Sequence, residues 1–245
     1  MAVPISNVTR RAVYAPSGAG GVGPYAFTFE ILANTDIAVF KDDVLLTLTT
    51  HYTVTINANG TLTAVDGALG YGTGGVAPDV TINGGLMRLL DSVGGTATLN
   101  GVDNLVLNGG TVSSGTGVVG SNSLYVVGAI SATNDATISA QNVAFVNAGT
   151  AAVATDVTVS ATKTLTFSGT IADDTVGGYA SSFDKKGTGT LVLSGNNSGM
   201  TGNNTVTAGV LDVRNANALG TGVTTIGTGA NFVSAQQVGF TTAVS

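Results

Sequence analysis

Gly187-Thr-Gly-Thr-Leu-Val-Leu-Ser-Gly195 is followed at once by Asn196-Asn-Ser-Gly-Met-Thr-Gly202, and then by Thr205-Val-Thr-Ala-Gly-Val-Leu-Asp-Val213 and Asn215-Ala-Asn-Ala-Leu-Gly220. Two short apolar strands are separated by Gly- and Asn-rich corners. Alternate residues of a strand share a face, so Leu191, Leu193, Val206, Leu211 and Val213 are expected to point into one core. Gly and Asn close the corners because they adopt conformations that other residues resist. Asn196-Asn197 and Asn203-Asn204 either stack as amide ladders inside the fold or close ordinary turns.

The same grammar extends upstream. Short apolar triplets recur between small turns: Ala97-Thr-Leu99, Leu105-Val-Leu107, Leu124-Tyr-Val-Val127, Ala136-Thr-Ile138, Val143-Ala-Phe145, Val157-Thr-Val159 and Leu165-Thr-Phe167. Their spacing is uneven, so there is no strict short repeat. Over more than a hundred residues, this pattern is what stacked β-solenoid rungs produce.

Thr190 to Gly220 resembles the passenger-associated repeat of bacterial autotransporters. That resemblance implies a right-handed parallel β-helix. Met200 stands where the repeat usually has an aromatic after its Asn pair. The motif is specific for fold and not for function, since adhesins, fibres and spikes all use it.

The N-terminal quarter is made differently. Tyr25, Phe27 and Phe29 alternate with smaller residues, as in a half-buried strand, and Ile37 and Val39 do the same. Lys41-Asp42-Asp43 is a polar turn. Tyr52, Val54 and Ile56 face one way, and Asn57-Ala-Asn59-Gly60 tolerates the positive φ of a reversal. Thr61–Val65 is expected to return as the antiparallel partner, giving a meander over residues 25–66. Phe27-Thr-Phe-Glu-Ile-Leu32, Ile37-Ala-Val-Phe40 and Thr50-His51-Tyr52 together resemble the N-terminal attachment domain of tail fibres and tailspikes of short-tailed bacteriophages, over residues 2–66. The resemblance implies a virion-docking module, with Tyr25, Phe27, Phe29, Phe40, His51 and Tyr52 as attachment residues. It also implies a homotrimer, tail adaptor, nozzle or portal-associated partners, and a place in the virion tail.

Composition excludes several functions. Charged residues are 9 % of the chain, against about 25 % in ordinary domains. Hydrophobic residues are 43 %, too many for disorder. A net charge of −6 with eight Lys and Arg argues against a nucleic-acid surface. The absence of Cys removes disulfides and thiolate metal sites. No apolar stretch is long enough for a membrane helix, and the start of the chain lacks the order of a secretory signal. A soluble protein made in the cytoplasm is expected.

Candidate chemistry is sparse. Gly18-Ala-Gly-Gly-Val-Gly23 fits a dinucleotide fingerprint by letter, but Pro24 and a strand follow where a helix is needed, so a plain loop is expected. Asp173-Asp174 is the best acidic pair. Spikes that cut polysaccharide set two carboxylates across a groove, whereas adjacent strand residues point to opposite faces. A solvated loop is expected there, as it is at Lys185-Lys186. His51, the one His, lacks a Ser, Cys or second His around it and reads as a polar-face residue. No catalytic residue, cofactor or metal is expected.

The fold expected is all-β: a small N-terminal β-sandwich-like anchoring domain (1–66), a Gly-rich linker (67–79) and a right-handed parallel β-solenoid shaft (80–245). Gly239–Ser245 lacks a cap, and solenoids need capped ends, so more protein is expected beyond it. The function expected is that of a structural tail fibre or tailspike that meets a host surface polysaccharide or receptor. A bacterial autotransporter-type adhesin passenger is the alternative, and a polysaccharide-degrading tailspike the second. The single Glu and absent Trp disfavour the enzyme.

Overall fold

The computed structural model describes residues 39–41, 44–46, 53–65, 69, 77–90, 100–114, 124–146, 154–174 and 177–234. Every element among them is a β-strand. A short antiparallel hairpin comes first, β1 (Val39–Lys41) with β2 (Val44–Leu46). The polar turn expected at Lys41-Asp42-Asp43 falls in part on residues outside those described.

All later pairing is parallel. One eight-stranded sheet stacks β3 (Thr53–Ile56), β5 (Asp79–Ile82), β8 (Leu105–Asn108), β11 (Ile130–Asn134), β14 (Thr155–Val159), β16 (Phe183–Lys186), β18 (Asn204–Val206) and β20 (Thr224–Ile226). The second stacks β4 (Thr61–Val65), β6 (Leu86–Leu90), β9 (Thr111–Ser114), β12 (Ala136–Ile138), β15 (Thr164–Phe167), β17 (Thr190–Leu193), β19 (Val210–Val213) and β21 (Asn231–Ser234). A third, of three strands, holds β7 (Asn100–Val102), β10 (Leu124–Val126) and β13 (Val143–Phe145). This is a parallel β-solenoid: the chain visits each of the two long sheets once per rung and stacks on the rung before.

Side-chain period explains the core. In β8, Leu105 and Leu107 are fully buried while Val106 and Asn108 are not. In register, Val80, Leu105, Ile130 and Val157 form one inward column of the first sheet. Leu165, Leu191 and Leu211 form one in the second. The two columns meet in a single apolar cluster running from Ile56 to Leu219. Phe145 and Phe167 meet edge-on within it, their ring centroids 6.1 Å apart, an arrangement that ring quadrupoles favour. The third sheet is buried on both faces at Tyr125 and Ala144, with Val146 and Tyr179 packed over its outside.

The rung length changes along the chain. Rung-equivalent hydrogen bonds span 25 residues at Asn108–Asn83, 29 at Thr164–Asp135 and 20 at Val223–Asn203. The shortening begins at β16, one rung after the third sheet has lost its strand. The line of the third sheet continues without strands: Val143 bridges Ile171, the Ile171 amide donates to Asn197 Oδ1 (2.8 Å), and the Asn197 amide donates to the Asn217 carbonyl (3.1 Å).

The expected reversal at residues 57–60 is corrected. Asn59 does take a positive φ of 64°, and the Gly60 amide donates to the Asn57 carbonyl at 2.8 Å. The turn is nevertheless a corner between sheets. β3 pairs in parallel with β5, and β4 with β6, across 26 and 25 residues respectively. Alternating side chains specify a strand's face but not its partner. The solenoid sheets therefore begin by Thr53, within the segment expected to be purely an anchoring module. Tyr25, Phe27, Phe29, His51, Tyr52 and the triplet Ala97–Leu99 lie outside the described residues, as does most of the segment expected to form the β-sandwich-like domain. Phe40 lies in β1.

Candidate functional site

Three of the buried polar residues among those described, Lys185, Asn197 and Asn204, lie in the short rungs β16–β19. Leu191, Leu193, Val206, Leu211 and Val213 all point inward and are at most 1 % exposed, as their alternation predicts. Phe183 and Lys185 occupy the two inward places of β16. Lys185 is fully buried, stacked between Val157 and Val206 of the neighbouring rungs. Its Nζ donates to the carbonyls of Lys186 (2.8 Å), Gly187 (2.8 Å) and Ala208 (3.1 Å). Three N–H groups thus meet three acceptors. Burial pushes its pKa from 10.5 down to about 8, against the pull of Asp184.

The expectation of a solvated Lys185-Lys186 loop is corrected on both counts, because the pair lies on a strand and only Lys186 faces out. Lys186 Nζ lies 2.8 Å from Asp156 and 3.6 Å from Asp184, two carboxylates stacked one rung apart. The hydrogen bond to Asp156 raises the Lys186 pKa. Thr207 Oγ1 donates to Asp184 Oδ1 at 2.7 Å. On the second sheet, Arg214 donates twice to Asp212 Oδ2 (2.7 and 3.0 Å), which raises the pKa of its guanidinium.

Asp173 and Asp174 are also corrected: they tie backbone rather than sit in solvent. Asp173 Oδ1 accepts from the Ser181 and Thr201 amides (2.9 Å each), and Oδ2 from Thr201 Oγ1 (2.6 Å). Asp174 is 2 % exposed, and its Oδ2 accepts from the Gly177 amide at 2.8 Å. Ser181 in turn donates to the Ala172 carbonyl (2.7 Å) and accepts from the Phe145 amide (2.9 Å). Together these bonds hold the connection before β16 against the third sheet.

The asparagines divide by position. Asn197 and Asn204 are buried. Asn197 Nδ2 donates to the Ala218 carbonyl at 2.6 Å. Asn204 Oδ1 accepts from the Phe183 amide at 3.2 Å, and its Nδ2 donates to the Leu219 carbonyl at 3.2 Å. Each clamps one rung to a neighbour. Asn196 and Asn203 are exposed and shape turns.

Residues 183–213 match the passenger-associated-transport-repeat family model. The match runs from the first residue of β16 to the last of β19, two complete rungs of these two sheets. No curated protein and no solved structure matches the chain. Met200 is fully buried and belongs to the apolar core cluster.

Lys185 and Gly209 are the positions that sequence reading missed. The signal is present: 21 residues separate Lys185 from Val206, the register of the short rungs. Aligning Phe183-Asp-Lys185 on Asn204-Thr-Val206 puts the lysine in an apolar column.

Two measurable consequences arise here. Asn197→Ala would leave the Ile171 amide and the Ala218 carbonyl buried without their side-chain partners. A loss of about 2–4 kcal/mol in unfolding free energy is expected, read from denaturant melts. The second concerns pH. Folded Lys185 releases its proton near pH 8 and the unfolded chain near 10.5, so between those values the unfolded state binds more protons and stability rises with pH. A gain of up to about 3 kcal/mol is expected across that window, and Lys185→Met should abolish it.

Proposed function

We propose that this chain is a passenger segment of the autotransporter type: a non-catalytic β-solenoid that carries adhesive surfaces at the outside of a bacterial cell. The observation that supports it is the match of residues 183–213 to the passenger-associated repeat, placed in register with both long sheets. The partner in this reading is a surface polysaccharide or receptor of the contacted cell. The carboxylates best placed for chemistry, Asp173 and Asp174, are engaged with backbone amides, which supports a structural role. The tail-fibre reading rests on residues 2–66, and the matched repeat lends it nothing.

The test is a fusion of this chain between an export signal and an outer-membrane β-barrel translocator. The fused solenoid is expected to reach the cell exterior, resist added protease and increase cell attachment to a coated surface. Retention inside the cell, or export with unchanged attachment, would overturn the proposal.

A further inference from the structure

Lys185 sits where a solenoid has least need of a charge. Its column neighbours are Val157 and Val206, and the facing inward residues of the second sheet, Leu165, Leu191 and Leu211, are buried and apolar. The charged groups beside it all lie on outward positions: Asp184 and Lys186 on its own strand, and Asp156 on β14. The Lys185 Nζ hydrogen bonds go to three backbone carbonyls rather than to a carboxylate. Two come from the corner leaving β16, at Lys186 and Gly187, and the third from the corner leaving β18, at Ala208.

The acceptor set spans two rungs and is built to size. Gly209 has a φ of +76°, and a Cβ there would meet the backbone carbonyl oxygens of Gly187 and Gly189 first and then Lys185 Nζ, at 2.9 Å. Any side chain at 209 would press on the ammonium as well as strain the backbone. The contacts to Lys186 and Gly187 are local to β16 and its corner, whereas the third, to Ala208, forms when β18 lies on β16 with Lys185 against Val206.

Such a device answers a physical problem of this sequence. Rungs of short Val, Leu and Thr strands with Gly-rich corners are nearly interchangeable. A slip of two residues keeps every side chain on its face, so apolar burial alone discriminates weakly between registers. A buried polar group that finds its full set of partners in one register penalises the others by the cost of the N–H left unpaired. We infer that Lys185, accommodated by Gly209, is a register pin that fixes how rungs β18–β19 stack on β16–β17. Its lowered proton affinity is the sign that the pin works against stability rather than for it, as buried charges commonly do.

The chain has no Cys, so paired cysteines report register directly. Thr190 and Val210 are direct neighbours on β17 and β19, at the strand separation of about 4.8 Å that a disulfide spans. Thr190 and Asp212 are diagonal, roughly 7–8 Å apart, beyond easy bridging, and become neighbours after a two-residue slip. In the parent background, T190C/V210C is expected to oxidise and T190C/D212C to stay reduced. Adding Lys185→Met should leave a folded β-protein at pH 7. The first link should fall at least twofold, and the second should appear. Lys185→Gln, uncharged but still a donor, should keep the parental pattern.

The parental linking pattern in Lys185→Met would overturn the proposal. So would slippage in Lys185→Gln equal to that in Lys185→Met, because hydrogen bonding would then be irrelevant. Failure of Lys185→Met to fold would overturn it as well, since the proposal holds that an apolar side chain fits the Val157–Val206 column.

Discussion

Leu193→Asp is expected to unfold the short rungs. Leu193 is fully buried, in register with Phe167 before it and Val213 after it, and both neighbours are also buried. The substitution removes an apolar side chain worth about 2 kcal/mol of burial and places an unpaired carboxylate among hydrocarbons. No cation lies in that column to receive it. The effective penalty is several kcal/mol, comparable to a domain's whole stability. A thermal melt followed by circular dichroism should show the main transition shifted down by more than about 10 °C or lost. A melt within a few degrees of the parent would mean that Leu193 does not face a core. Val192→Asp offers no such contrast, since Val192 is itself 2 % exposed. Thr190→Asp, on the outer face of the same strand, is the control and should change little.

The second large effect is expected from the smallest substitution, Gly195→Ala. A Cβ at 195 would overlap the backbone carbonyl oxygen of Gly169 in the rung below, and backbone cannot rotate away as a side chain can. Gly169 stands in the same relation to the Ala140 carbonyl. These glycines thus mark a line where successive rungs touch main chain to main chain. One methyl group there must separate the ladders on either side. The cost is expected to reach or exceed the roughly 1–3 kcal/mol typical of overpacked sites. Hydrogen exchange should show it as lost protection at the Ser194 amide, which donates to the Phe167 carbonyl at 2.9 Å. Exchange unchanged at Ser194 would refute this close-approach account.

The contrast between Leu193 and Lys185 shows what was legible in the sequence. The solenoid was readable because its information is local: Leu191-Val-Leu193 alternates, and Gly or Asn closes each corner. Thr53–Ile56 and Thr61–Val65 were read as strands for the same reason. Their pairing was misread because a strand's partner one rung away leaves no mark in the strand itself. Lys185 was misread because two adjacent lysines usually mean solvent, and only the 21-residue register to Val206 reveals that one of them points in. Asp174 was missed similarly: its burial comes from Tyr179 and the Gly177 corner folding back over it, a tertiary event. The attachment candidates Tyr25, Phe27, Phe29, His51 and Tyr52 lie outside the described residues, and Phe40 is placed in β1 by its backbone.

The change in rung length bears on how such a chain can be assembled. Every ladder partner in the two long sheets lies one rung away, between 20 and 29 residues along the chain. That distance does not grow as more rungs are added. The entropy of closing each new loop is therefore about the same for the last rung as for the second, and shrinks slightly where the rungs shorten. A finished rung presents open edges of both long sheets, which template the next rung. Order can thus spread along the polypeptide as a front moving from one end, with no need for distant segments to find each other. A chain delivered in an extended state, a little at a time, would suit this architecture as well as one released whole.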